Sequence, residues 1–296
     1  MNPERARYLR VLTAPLELAA GELRGPTHAC GLPLAEVLAA RCSLAGVRAH
    51  LAGAALDAVA DERAVRGEPS PGSGPVPRLL GGWEPAYALA RFGPDGVLAP
   101  RPVGPPPGAV RPARLGRPGE EIGDPYLVEA VRALAGGWCE PGAARAVATE
   151  GRAADAVAAL AGSGATVGLE RLERASAIAE LAWIGAAGAS GAAGAAGVAG
   201  AERRPRRGAA LGRQLAWEVL AALAGRSEDW PLPADELDAA TSALRWWRWH
   251  PDGSAIGAEA ERVAAERPLR LVVEDRDEEL SWAIELPPPA RRRRNG

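Results

Sequence analysis

Between Gly67 and Glu121 proline and glycine recur so closely, with Gly104-Pro105-Pro106-Pro107-Gly108 at the extreme, that no regular helix can run through. Proline removes a backbone donor and fixes φ, and glycine adds conformational freedom. The stretch reads as a connector or long loop, and it splits the 296-residue chain. Such a length exceeds the common domain size of about 100–200 residues. The division expected is a helical N-terminal region at 1–66, the connector at 67–121, a helical C-terminal domain at 122–286 and a disordered basic tail at 287–296. Within the connector, Trp83, Tyr87, Leu89 and Phe92 supply apolar surface for docking on a neighbour.

The fold class expected is mainly α with a minor β element. In the N-terminal region Leu34, Val37, Leu38, Leu44 and Leu51 fall at helical spacing. Asp124-Pro125 has the form of an N-cap followed by a first-turn proline, ahead of Leu127, Val131 and Leu134 and a stop at Gly136-Gly137. A weak alternation around Val147 suggests a strand. Helical spacing returns over 153–161, 169–185 and 209–224, and a further helix is expected from Ala234 towards Trp249. Leu269 to Val273 is short, apolar and β-branched, so it is predicted as a strand. Asp275 and Glu278 have capping-box spacing and favour a last helix, with a hairpin through Leu280, Trp282, Ile284 and Leu286 as the alternative.

The chain has no lysine, so all 35 basic side chains other than histidine are arginine. A Walker A lysine, an internal aldimine lysine and an S-x-x-K base are thereby excluded. Arginine also carries every ordinary surface charge here, which lowers what an arginine cluster says about ligands. Against 37 acids the net charge is −2, too small for the whole molecule to steer towards a polyanion. Three cysteines at irregular spacing do not describe a disulfide framework, so a cytoplasmic protein is expected. Pro15 and Glu17 interrupt the first apolar run, and no export signal is read. Leu181 to Ala201 is uncharged, but only Leu181, Trp183, Ile184 and Val198 are strongly apolar, so no membrane span is expected.

No catalytic constellation emerges, and no cofactor or metal is expected. His28, Cys30, Cys42 and His50 are zinc-type ligands at intervals that fit no ordinary zinc motif. The acids at 274, 275, 277, 278 and 279 lack the glycine of a calcium loop and read as helix-start charges. In Leu244 to His250, Trp246, Trp247 and Trp249 alternate with Arg245 and Arg248; these residue types stack on bases, but helix-face core packing with a cation–π contact is the favoured reading. The sharpest candidate is Gly185 to Arg213. There glycine falls at every third position up to Gly200, ahead of Arg203, Arg204, Arg206 and Arg207 and a helix start near Gly208. A pliable loop, guanidinium groups and the positive end of a helix suit an anion, with Arg206, Arg207 and Arg213 as contacts, against the plainer reading of a disordered glycine–alanine connector with a solvated charge run.

Trp183, the Ala/Gly/Ser run, Arg207-Gly208-Ala209-Ala210, Gly212-Arg213, Ala216-Trp217, Asp229-Trp230-Pro231 and Leu244 to Trp249 occur in a telling order. Over residues 170–286 the chain resembles the C-terminal part of an uncharacterised actinobacterial protein family, a domain of unknown function. The resemblance implies no activity; it implies that the glycine segment belongs to a recurring domain. The function expected is a non-enzymatic cytoplasmic binding or interaction protein with a protein partner. The alternatives are a phosphate- or anion-binding module or enzyme using segment 185–213, and single-stranded nucleic-acid binding through Arg and Trp.

Overall fold

In the computed structural model, the described residues are 109–140, 142–190, 208–230, 234–251 and 267–289, with single positions at Leu38, Arg48, Leu51, Leu56 and Val59. The helices expected over 8–66, the connector as far as residue 108 and the four arginines of the tail lie outside this set or touch it only at those single positions. In chain order the elements are β1 (Val110–Arg114), β2 (Glu121–Ile122), α1 (Pro125–Leu134), β3 (Arg145–Glu150), α2 (Ala153–Ala161) and β4 (Thr166–Leu172). There follow α3 (Arg174–Ser190), α4 (Gly208–Leu223), α5 (Ala234–Ser242), β5 (Arg245–His250), β6 (Leu269–Asp275) and β7 (Leu280–Leu286).

The seven strands form one sheet in the order β1-β4-β5-β6-β7-β3-β2, and every neighbouring pair is antiparallel. This overturns the mainly helical expectation: the fold is α/β, organised on an antiparallel sheet. The physical reason lies in how the central strands are written. Leu169 and Leu172, counted into a helix over 169–185, belong to β4, and the helix starts only at Arg174. Likewise the helix from Ala234 ends at Ser242, and Arg245–His250 continues as strand β5. A buried strand flanked by helices shows little of the apolar–polar alternation that identifies a half-exposed one.

The expectation of a last helix also fails, and the hairpin stands in its place. The Asp275 carboxylate accepts from the backbone N–H groups of Asp277 and Glu278, at 2.9 and 3.3 Å, so its capping capacity closes the turn between β6 and β7. Glu279 takes a positive φ of 53° within that turn. Elsewhere the local signals agree with the structure. Asp124 Oδ1 accepts from Leu127 N at 2.9 Å at the start of α1, and Gly137 beyond its end has φ 78°. The strand around Val147, the helix at 153–161 and the strand from Leu269 are all present.

Strand alternation divides the side chains between two cores. Ala148, Leu172, Trp246, Leu271, Val273, Trp282 and Ile284 face a layer made by α1, α3, α4 and α5. Val147, Val167, Trp249, Val272 and Ala283 face the other way, where α2 packs on β3, β6 and β7. In the helical layer α3 and α4 approach backbone to backbone. A Cβ added at Gly212 would overlap Ala182 O and Ala186 N, and one at Gly185 would lie 2.8 Å from the Gly212 Cα. Gly185 and Gly188 are therefore residues of a packed helix, not of a pliable loop. Trp138 sits edge-on to Trp183, with ring centroids 5.5 Å apart, and its indole N–H donates to Pro287 O at 3.0 Å.

Replacing Gly212 with Ala forces the two helices apart and costs about 1–3 kcal/mol by overpacking. Gly116→Ala, where an added Cβ meets nothing within 4 Å, is the matched control. Urea unfolding of the two variants should show a lowered midpoint for the first and none of that loss for the second.

A candidate anion site on the sheet face

Because successive strand residues point to opposite faces, the run Arg245–His250 delivers two chemistries. Arg245, Trp247 and Trp249 lie on the face shared with α2, and Trp246, Arg248 and His250 lie beneath the helical layer. On β4, Arg171 pairs with Trp247 and Glu170 with Arg248, so each cross-strand row carries its type onto the neighbouring strand. On β1, Arg111 pairs with Leu169, on the Arg171 side.

On the helix-covered side four ionisable groups make a buried network. The Arg248 guanidinium donates to Glu170, with Nη1 at 3.4 Å from both carboxylate oxygens, and through Nη2 to Glu180 Oε1. His250 Nε2 lies 3.1 Å from Glu170 Oε2. Glu170, Glu180 and His250 are all buried, and Arg248 is one-fifth exposed. Two carboxylates enclosed without a cation would be very costly, and the guanidinium fork, which can serve two acceptors at once, is what makes their burial tolerable. Three of its four members are buried and each is engaged by another, so its geometry speaks for architecture.

The opposite face is different. α2 covers β3, β7 and β6, and Val167 of β4 and Trp249 of β5 are buried in the same core, while Arg111 and Arg171 are exposed and Arg245 is half-buried. There Arg111, Arg171, Arg245, Ala109 and Trp247 line an open cavity of about 300 Å3. The Arg171 guanidinium lies 4.9 Å over the Trp247 ring, a cation–π contact that fixes its plane. The carboxylates on this face are engaged by other arginines. Glu285 accepts from Arg270 at 2.9 Å and meets Arg145 at 3.5 Å, while the buried Glu274 is 3.6 Å from Arg276. Among the described residues, none comes within ion-pair distance of Arg111, Arg171 or Arg245. Burial, followed by repulsion from Arg245, lowers the pKa of Arg171, with the Glu274 charge opposing in part. The guanidinium still remains protonated at neutral pH. Arg171 and Arg245 are thus held beside each other against their own repulsion, which Glu274 offsets in part and an anion would relieve further.

Of the residues predicted from sequence, Trp247 forms a wall of this cavity, Trp246 is buried under the helices, and Trp249 is buried with Arg270 5.1 Å over its ring. Arg206 and Arg207 lie outside the described residues. Arg213 is buried on α4 with its guanidinium 5.1 Å over Trp217, and it does not line the cavity. Arg111 and Arg171 escaped sequence reasoning because neither lies in an arginine cluster and they join Arg245 only through strand pairing. The acids at 274–279 end a strand and form a turn, which corrects their reading as helix-start charges. No group of three metal-ligating side chains occurs among the described residues. His28, Cys30, Cys42 and His50 fall outside them. Burial pushes the Cys139 thiol above its ordinary pKa, which disfavours the thiolate a nucleophile needs. Among the described residues no helix is long and apolar enough to cross a membrane. No family model, curated protein or solved structure matches this chain.

Arg248→Ala should destabilise the fold by about 3–5 kcal/mol, because Glu170 and Glu180 lose their shared cation. Chemical denaturation reads the loss, and adding Glu170→Gln and Glu180→Gln to the same chain should recover part of it.

Proposed function

We propose that this chain is a non-enzymatic cytoplasmic binding protein that takes an anionic ligand on its open sheet face. The observation that carries the reading is the convergence of Arg111, Arg171 and Arg245 on one cavity, with no carboxylate within ion-pair distance of them among the described residues. Guanidinium groups form paired, charge-assisted hydrogen bonds to carboxylate, sulfate or phosphate oxygens. The Trp247 ring beneath Arg171 orders one of them before the ligand arrives, so less freedom is lost on binding. Stacking of bases directly on the indoles finds less support. Trp246 and Trp249 are buried, and the guanidinium of Arg171 already lies over Trp247. A compact anion is therefore favoured over a nucleic-acid strand.

Thermal unfolding in phosphate, sulfate, citrate and acetate, with chloride holding ionic strength constant, tests the proposal. At a ligand concentration of 100 times Kd the stabilisation expected is about 2.7 kcal/mol. Sulfate and phosphate also stabilise proteins generally by exclusion from their surfaces. The discriminating result is a rise that disappears in the Arg111→Gln/Arg171→Gln/Arg245→Gln variant. Equal shifts in both proteins, or none in either, would overturn the reading.

A further inference from the structure

We infer that the ligand of the Arg111–Arg171–Arg245 cavity is a phosphomonoester in its dianionic form. This rests on the reading of the cavity as an anion site and narrows it to one chemical class. Charge is the first argument. Three guanidinium groups line the cavity with no carboxylate within ion-pair distance among the described residues; Glu274, across from Arg245, offsets their charge in part and is itself 3.6 Å from Arg276, so a dianion matches the remaining charge better than a monoanion. A phosphomonoester, whose second ionisation falls near pH 6, brings about −1.5 to −2 charges at neutral pH.

Geometry is the second argument. The three arginines come from three different strands: Arg111 from the edge strand β1, Arg171 from β4 and Arg245 from β5. They stand on one face of the sheet along the same cavity, and Arg171 has its plane set by the indole behind it. A terminal phosphoryl group offers three oxygens on a tetrahedron, enough for each guanidinium to meet its own. A carboxylate has two oxygens in one plane, and a backbone phosphodiester has two terminal oxygens and chain on both sides. Space is the third argument. A cavity of about 300 Å3 stands at the small end of the ~300–1,000 Å3 range of small-molecule pockets, so it suits a phosphoryl group with a modest organic remainder.

Titration calorimetry on the full chain would compare ribose 5-phosphate, ribose, acetate and a single-stranded oligonucleotide with hydroxyls at both ends. Ribose 5-phosphate should bind at least tenfold more tightly than any of the others. Its affinity should fall between pH 7.5 and pH 5.5 as the dianion takes up a proton, while the guanidinium groups keep their charge. Arg171→Gln should weaken binding by about tenfold or more. If that variant loses its fold by circular dichroism, Arg111→Gln on the exposed edge strand takes its place. Acetate binding as tightly as ribose 5-phosphate, with both lost in the variant, overturns the phosphomonoester assignment and leaves the anion site standing. A preference for the oligonucleotide, with affinity falling steeply in salt, overturns the assignment in favour of a polyanion. Absence of binding by every probe overturns this inference; the anion site itself fails only if the stabilisation by phosphate, sulfate, citrate and acetate is absent as well.

Discussion

The contact between α3 and α4 at Gly185 and Gly212 sets the geometry of the helical layer. Helices with ordinary side chains between them lie about 8–10 Å apart. Glycine and alanine at the crossing let these two backbones touch, so Ala182, Ala186 and Gly212 meet without an intervening side chain. Larger residues then project to the sides, and Leu181, Ile184, Trp217 and Leu220 are buried there. A layer built on close backbone contact is sensitive to single added methyl groups, because interiors are packed too densely to absorb them.

That layer closes one face of the sheet, and the opposite face is closed only in part. A helix is about 10 Å across and neighbouring strands about 4.8 Å apart, so one short helix shields two or three strands. α2 spends this width on β3, β7 and β6. Further along β1, β4 and β5, the described residues on this face include Arg111, Arg171, Arg245 and Trp247. The same two strands that carry the ion network beneath the helices thus carry Arg171 and Arg245 on the other face. A one-residue slip of β5 would exchange Trp247 for Arg248 and place an indole where Glu170 needs a guanidinium. Register and electrostatics fix each other here.

Local signals in the sequence were accurate wherever a side chain acts on its own backbone. Asp124 caps α1; Asp275, read as the cap of a last helix, instead closes the β6–β7 turn, since the same carboxylate satisfies N–H groups in either setting and local sequence does not tell the two apart. Signals that depend on what covers a segment were misleading. Arg245–His250 was counted as the end of a helix because Leu237, Leu244 and Trp247 fit helical spacing, and only pairing with β4 and β6 shows the strand. The glycine run was read as loop because glycine is a poor helix former in isolation. Tight packing against α4 makes its first glycines an advantage.

By itself the sequence determined which chemistries are absent, since a chain without lysine supplies no ε-amino group, and which short segments start and stop. It also placed arginine beside tryptophan in one run. Tertiary structure decided which of those arginines count. Arg213 was drawn into the core, Arg248 was sealed between two glutamates, and Arg245 was brought beside Arg111 and Arg171, 134 and 74 positions away in the chain. The physical reason is that a guanidinium group becomes a site or a structural ion according to which charges face it. In an antiparallel sheet those neighbours are chosen by strand pairing, which no local pattern encodes.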